Sequence, residues 1–297
     1  MKNILKIVFV FLLLSLVAGC GTTNDDMLNR KWPTEVTYSN LNDQNSIDLL
    51  TDLMNDANVP TVKQEVLFEH IKQINALIEP SKLTNGFESH PISEPLYDPY
   101  DLQDKWMETY PNFLGYNCRI TAYSLFAHNL EIPDDASIRD DMLMMDIGSL
   151  SVDRSAIDHE VDLKKFLAFY SYVPTDNTQD INVHLANYQK DLKERKIKFI
   201  DNKQMSMVAV LLHDQVDGDR LFVGHVGVLF TGEDEKLYVL EKIAFQEPYQ
   251  LCVFNNRAEL SDYLMAKYDT SFNQTNAAPM IIENGHLIEG YRNHSSK

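Results

Sequence analysis

The sequence predicts an α+β fold in which a helical N-terminal half packs on a C-terminal antiparallel sheet. Three observations carry this prediction. Apolar residues recur at helical spacing in successive segments up to about residue 196. From about residue 206 the pattern changes to short runs rich in β-branched and aromatic residues. Those runs are separated by Asp217-Gly218-Asp219, by Gly232-Glu233-Asp234-Glu235 and by Gln246-Glu247-Pro248, the punctuation of hairpin connections.

The chain opens with Lys2 and Lys6, followed by an apolar run from Ile7 to Val17 broken only by Ser15. Spanning a bilayer takes about 20 apolar residues, so this run suits a signal-peptide core instead. Val17-Ala18-Gly19-Cys20 closes it with small residues before a cysteine. That ending resembles the lipobox of bacterial lipoproteins. The resemblance implies a lipoprotein signal peptide at 1–19, a diacylglyceryl group on Cys20, and a mature protein on the outer face of the cell membrane. Two acyl chains hold a protein firmly where one does not. Residues 20–35 are polar and aperiodic and read as a tether, leaving 36–297 as a single domain.

Within that domain, Ile47, Leu50, Leu53, Met54 and Ala57 share one face of a helix over 46–57. A second helix follows Pro60, with Thr61 and Gln64 as a capping box and a stripe of Val62, Val66, Ile71, Ile74 and Ile78. Four prolines and Gly86 make 80–100 a long loop, after which Asp101 caps a short helix ending at Thr109. Residues 119–130 carry Ile120, Ala122, Tyr123, Leu125, Phe126 and Leu130 and leave no wide polar face, so this helix should be buried. Helices are expected at about 137–147, 155–171 and 180–196, forming a helical insert at about 131–205. Strands are expected at 207–212, 221–230, 237–244 and 249–254, then a helix at 257–267 and a strand pair near 279–289.

Composition narrows the function. The net charge is −18, and without Lys2 and Lys6 it becomes −20, with 24 basic against 44 acidic residues. Nucleic-acid binding relies on clustered Lys and Arg, and this chain has no such run, which excludes a nucleic-acid partner. His159, His184 and His213 lack metal-ligand spacing. Asp214, Asp217 and Asp219 suggest part of a calcium loop, without the glycine and terminal glutamate it needs. No metal and no cofactor is therefore expected. Cys118 follows a loop while Cys252 sits in a strand-like run, which favours two free thiols over a disulfide.

One constellation has residue types suited to chemistry. Cys118 stands at the start of the buried helix with Asn117 as its N-cap, and a helix N-terminus favours a thiolate. His225 lies between Gly224 and Val226-Gly227 on a strand, where glycines mark close approach of a backbone or ligand. Glu241 lies on the next strand. If Phe230 pairs with Lys236, His225 faces Glu241 directly, and a carboxylate beside an imidazole orients it while the imidazole activates the thiol.

This order of helix cysteine, strand histidine and polar residue on the following strand is similar to papain-like cysteine hydrolases, including bacterial cell-wall endopeptidases and amidases. The resemblance implies a papain-like domain with Cys118 as nucleophile, His225 as base and Glu241 as orienting residue. Asn117 and Gln246 would serve as oxyanion or supporting groups. The nucleophile motif here is Asn117-Cys118-Arg119-Ile120, and Asn112 stands where papain-type enzymes place a glutamine. The wider pattern runs from Tyr38-Ser39-Asn40-Leu41 through Gly115-Tyr116-Asn117-Cys118-Arg119-Ile120-Thr121 to the segment Glu241–Tyr249. It resembles a family of Gram-positive lipoproteins known only as a domain of unknown function. The expectation is a surface-anchored thiol hydrolase of amide bonds in a peptide or cell-wall substrate. The alternative is a non-catalytic binding or adhesion lipoprotein on the same scaffold.

Overall fold

Among the described residues, regular structure begins with a strand at Glu35–Ser39 (β1), whose first residue is the last of the expected tether. A computed structural model describes residues 30–157, 160–270 and 274–294; the expected signal peptide, Cys20 and the tether up to residue 29 lie outside them. Trp32–Lys297 forms one compact unit. Among the described residues, no helix is long and apolar enough to cross a membrane.

Helix α1 (Gln44–Asp56) is capped by Asp43, whose carboxylate accepts the Ser46 amide at 3.0 Å. Helix α2 (Thr61–Asn75) has Pro60 at its cap position and no side-chain cap. The expected capping box is absent because Gln64 turns instead to Asn55 and the Val59 carbonyl. Its buried stripe runs through Leu67, His70, Ile71 and Ile74 and leaves Val62 exposed. The long loop holds a short strand, β2 (Glu88–Pro91), that pairs with β1. Helix α3 (Pro99–Thr109) is capped by Asp98 rather than Asp101. Pro99 explains the difference, since its missing N–H and fixed φ suit the first helical position.

Helix α4 (Cys118–Phe126) is buried along nearly its whole length. The expected insert then begins at β3 (Leu130–Glu131) and ends near β5 (Lys198–Phe199), which pair antiparallel and close its base. Between them lie α5 (Met144–Val152), α6 (Glu160–Phe169), β4 (Val173–Pro174) and α7 (Ile181–Glu194). Helix α5 starts later than periodicity suggests, because residues before it are held in turns: the Leu143 amide bonds the Asp140 carbonyl, and the Arg139 amide bonds Ser171.

The remaining strands are β6 (Met205–Asp214), β7 (Arg220–Thr231), β8 (Leu237–Lys242) and β9 (Tyr249–Phe254). Helix α8 (Arg257–Tyr268) follows, then β10 (Met280–Glu283) and β11 (His286–Leu287). All pairings are antiparallel, in the order β11-β10-β6-β7-β8-β9-β1-β2, with β4 added to β7. The expected four-strand meander is thus the middle of a larger sheet that also recruits N-terminal residues. Alternation sorts the two faces. Val226, Val228, Phe230 and Leu240 join the core under α1–α4, while Leu229, Val239 and Cys252 join a second core under α8.

Candidate active site

The approach to Cys118 is held from two sides. Gln246 in the β8–β9 loop donates to the Leu114 carbonyl (2.9 Å), and Ser149 on α5 donates to the Gly115 carbonyl. Gly115 has φ +89°, and a Cβ there would stand 2.5 Å from the Phe245 carbonyl oxygen, so only glycine fits. Asn117 caps α4 by accepting the Ile120 amide (3.0 Å), and its Nδ2 donates to Asp146 (2.7 Å). Its carboxamide is thus committed to fixing the helix start. The amides of Cys118 and Arg119 have no intrahelical acceptor, as at any helix start.

Strand β7 meets this helix end through a gap in its own edge. Strand β6 occupies one edge along the whole of β7. On the other edge β8 pairs from Gly227 to Thr231, and β4 pairs only at Arg220 and Leu221. Residues 222–226 are left to α4. Arg119 Nη1 donates to the Val223 carbonyl (2.9 Å), and the Val226 amide is near enough to lower the Cys118 thiol pKa. A bulge falls here: Val210 pairs with His225 but Leu211 pairs with Val223, making Gly224 the extra residue.

The β7–β8 register differs from the expected one by two residues. The Gly232–Lys236 turn, with Glu235 at φ 63°, brings Phe230 opposite Tyr238 and Gly227 opposite Glu241. A slip of two keeps the same face, so His225 and Glu241 still meet, diagonally across a residue that has no side chain. His225 Nε2 and Glu241 Oε2 are 2.7 Å apart. The imidazole and the Cys118 thiol are near enough for each to shift the other's pKa. Tyr268 stacks on the ring, centroids 4.9 Å apart. The structure thus pairs His225 with Glu241 and sets Cys118 near the imidazole; Glu241, His225 and Cys118 are 1%, 2% and 6% exposed.

The electrostatics favour an ion pair. Burial alone would raise the Cys118 pKa, but the hydrogen bond and charge of His225, the Arg119 charge and the Val226 amide hold it below its ordinary value. Burial likewise disfavours the imidazolium, yet Cys118 and Glu241 raise His225 to about 9. Against its own burial, Glu241 is held well below the usual carboxylate range by Lys267, His225 and Tyr263. Cys252, also a free thiol, is driven up by burial and by the Glu241 charge.

A family model described as a domain of unknown function (DUF4300) matches residues 37–288, a span that contains all three residues. The chain belongs to this family. Comparison with curated proteins finds no match, and comparison with solved structures finds none.

In this DUF4300 chain, several residues around the candidate site escape a reading of the sequence. Arg119 pairs with Asp146 through two bonds (Nε–Oδ1 2.9 Å, Nη2–Oδ2 2.6 Å). Tyr263 donates to Glu241 Oε1, and Lys267 lies 3.5 Å from the same oxygen. A signal was present for the first pair. Arg119 is the sole charge in the apolar run of α4, and Asp146 sits within Met144-Met145-Asp146-Ile147; a charge buried in such runs requires a partner. Tyr263, Lys267 and Tyr268 carried no comparable mark. His184 and His213 lie together, ring centroids 4.4 Å apart, but bond Thr175, Thr178 and Asp219. Among the described residues, no cluster of side chains is suited to hold a metal ion.

Proposed function

We propose that this protein is a thiol hydrolase of amide bonds, held on the outer face of the cell membrane through lipid on Cys20. The observation that carries the reading is the 2.7 Å contact of His225 with Glu241 beside a Cys118 thiol whose pKa His225 lowers. In the reaction the Cys118 thiolate adds to the amide carbonyl carbon. The oxyanion is received by the Cys118 and Arg119 amides. His225 gives its Nδ1 proton to the departing amine, leaving a thioester on Cys118. Water, deprotonated by the now neutral imidazole, then cleaves the thioester and restores the thiolate–imidazolium pair. Glu241 stays ionised throughout and stabilises the imidazolium. The substrate class that fits a surface-anchored enzyme is a peptide or cell-wall stem peptide.

A non-catalytic binding role is the second reading, favoured by the burial of Cys118 and His225. Alkylation separates the two. In the hydrolase, iodoacetamide near neutral pH modifies Cys118 faster than Cys252, and His225→Ala slows Cys118 and narrows the difference with the fold intact. Equal rates at the two thiols would sink the hydrolase reading.

A further inference from the structure

Arg119 follows the candidate nucleophile directly, and each of its three guanidinium nitrogens is engaged. One nitrogen holds the Val223 carbonyl, two residues before His225, and the other two grip the Asp146 carboxylate. Asp146 is fully buried and also accepts Asn117 Nδ2, the residue on the other side of Cys118. One carboxylate on α5 thus fixes both neighbours of the thiol, and one guanidinium fixes the strand that carries the imidazole. Without Arg119, the 222–226 stretch of the β7 edge would keep a bare carbonyl opposite a helix end.

We propose that Arg119 is a positioning residue that holds the Cys118 sulfur against the His225 imidazole, with Asp146 orienting its guanidinium. The proposal rests on Cys118 being the nucleophile. It makes α5, and with it the helical insert, part of the site rather than an appendage. Arg119 also supplies positive charge beside the sulfur. The other titratable groups facing Cys118 are His225 on β7, Tyr170 after α6 and Tyr268 on α8, with Asp146 and Glu241 one residue further out. A planar two-pronged donor suits this task and an ammonium does not, because lysine cannot bond Asp146 and Val223 in three fixed directions at once.

The test is the pH profile of Cys118 alkylation by iodoacetamide in the full chain, read by peptide mass spectrometry, with circular dichroism as the check of fold. Arg119→Met should move the profile up by about one pH unit and slow alkylation about tenfold at pH 7. Arg119→Lys should recover only part of that loss. The double variant Arg119→Met with Asp146→Leu removes both charges, so no unpaired ion is left buried, and should show the same shifted profile. A wild-type profile in folded Arg119→Met or in the double variant overturns the proposal. Complete recovery by lysine also overturns it, by reducing Arg119 to a charge. Loss of fold in the double variant does so too, by making the clamp a requirement of folding. If His225→Ala does not slow Cys118 in the first place, it is the hydrolase reading that fails, and the two failures are told apart.

Discussion

At Glu241 four groups share one carboxylate: the His225 imidazole, the Tyr263 hydroxyl, the Lys267 ammonium and the Cys252 thiol at 3.5 Å. A buried charge with this many partners is costly to neutralise, because the Lys267 ammonium and the His225 imidazolium then lose their counter-charge. Glu241→Gln should therefore destabilise the protein by about 3 kcal/mol in urea unfolding. It should also slow Cys118 alkylation, whereas Tyr263→Phe should cost about 1 kcal/mol and leave alkylation faster than in Glu241→Gln. The same site sets a pH dependence. His225 has its folded pKa raised above the ordinary 6.5 to about 9, so the stability it contributes is complete below 6.5 and is lost as pH rises through about 9. Melting temperature should fall on that alkaline limb, and His225→Gln should flatten it. An alkaline limb of unchanged steepness in that variant would contradict the assignment. The thiol, imidazole and carboxylate were legible as residue types on a helix start and two adjacent strands. The partners that fix their charge state were not, because Tyr263 and Lys267 lie on a helix whose place over the sheet is set by tertiary packing alone.

Elements place these residues through backbone contacts that tolerate few substitutions. Gly115 combines positive φ with a carbonyl in the way, so Gly115→Ala should cost about 2–4 kcal/mol. At Gly224 the obstacle is the Leu212 side-chain tip, 2.4 Å from an added Cβ, which is able to rotate away. Gly224→Ala should cost only about 1 kcal/mol. Chemical unfolding of both variants checks the order, and a reversed order would mean that the bulge, not the approach to Cys118, is the tighter constraint. The sequence conveyed strand positions well: the run expected at 249–254 is β9 residue for residue, and the others differ by a few residues at their ends. Register was less legible. The β7–β8 pairing turned on which five residues form the turn, and either choice leaves the same hydrophobic face inward, so patterning does not distinguish them. Helix starts at α3 and α5 were displaced by local competition, from Pro99 in one and from turn hydrogen bonds in the other.

For the whole molecule, the expected anchor lies on residues outside those described, so it is tested in the cell. Cys20→Ala should release the protein from the membrane fraction or leave it unprocessed. Normal processing with unchanged membrane association would contradict the lipoprotein reading. The scale at which sequence reading fell shortest is the sheet itself. Strands β1 and β2 lie far from β9 in sequence, and only tertiary pairing of Tyr38 with Cys252 and Ser39 with Leu251 brings them to it. That extension has a consequence for how copies of the chain meet. A sheet this wide ends in two edges, and the proposed anchoring to one membrane would bring the edges of neighbouring copies together. One edge is β11, only two residues long. The other is β2, which ends in Pro91 and carries the Glu88 carboxylate. A short strand, a residue without an amide hydrogen and a negative charge are each poor templates for a neighbouring chain. The rims that close this sheet are thus poor places for a second copy to pair.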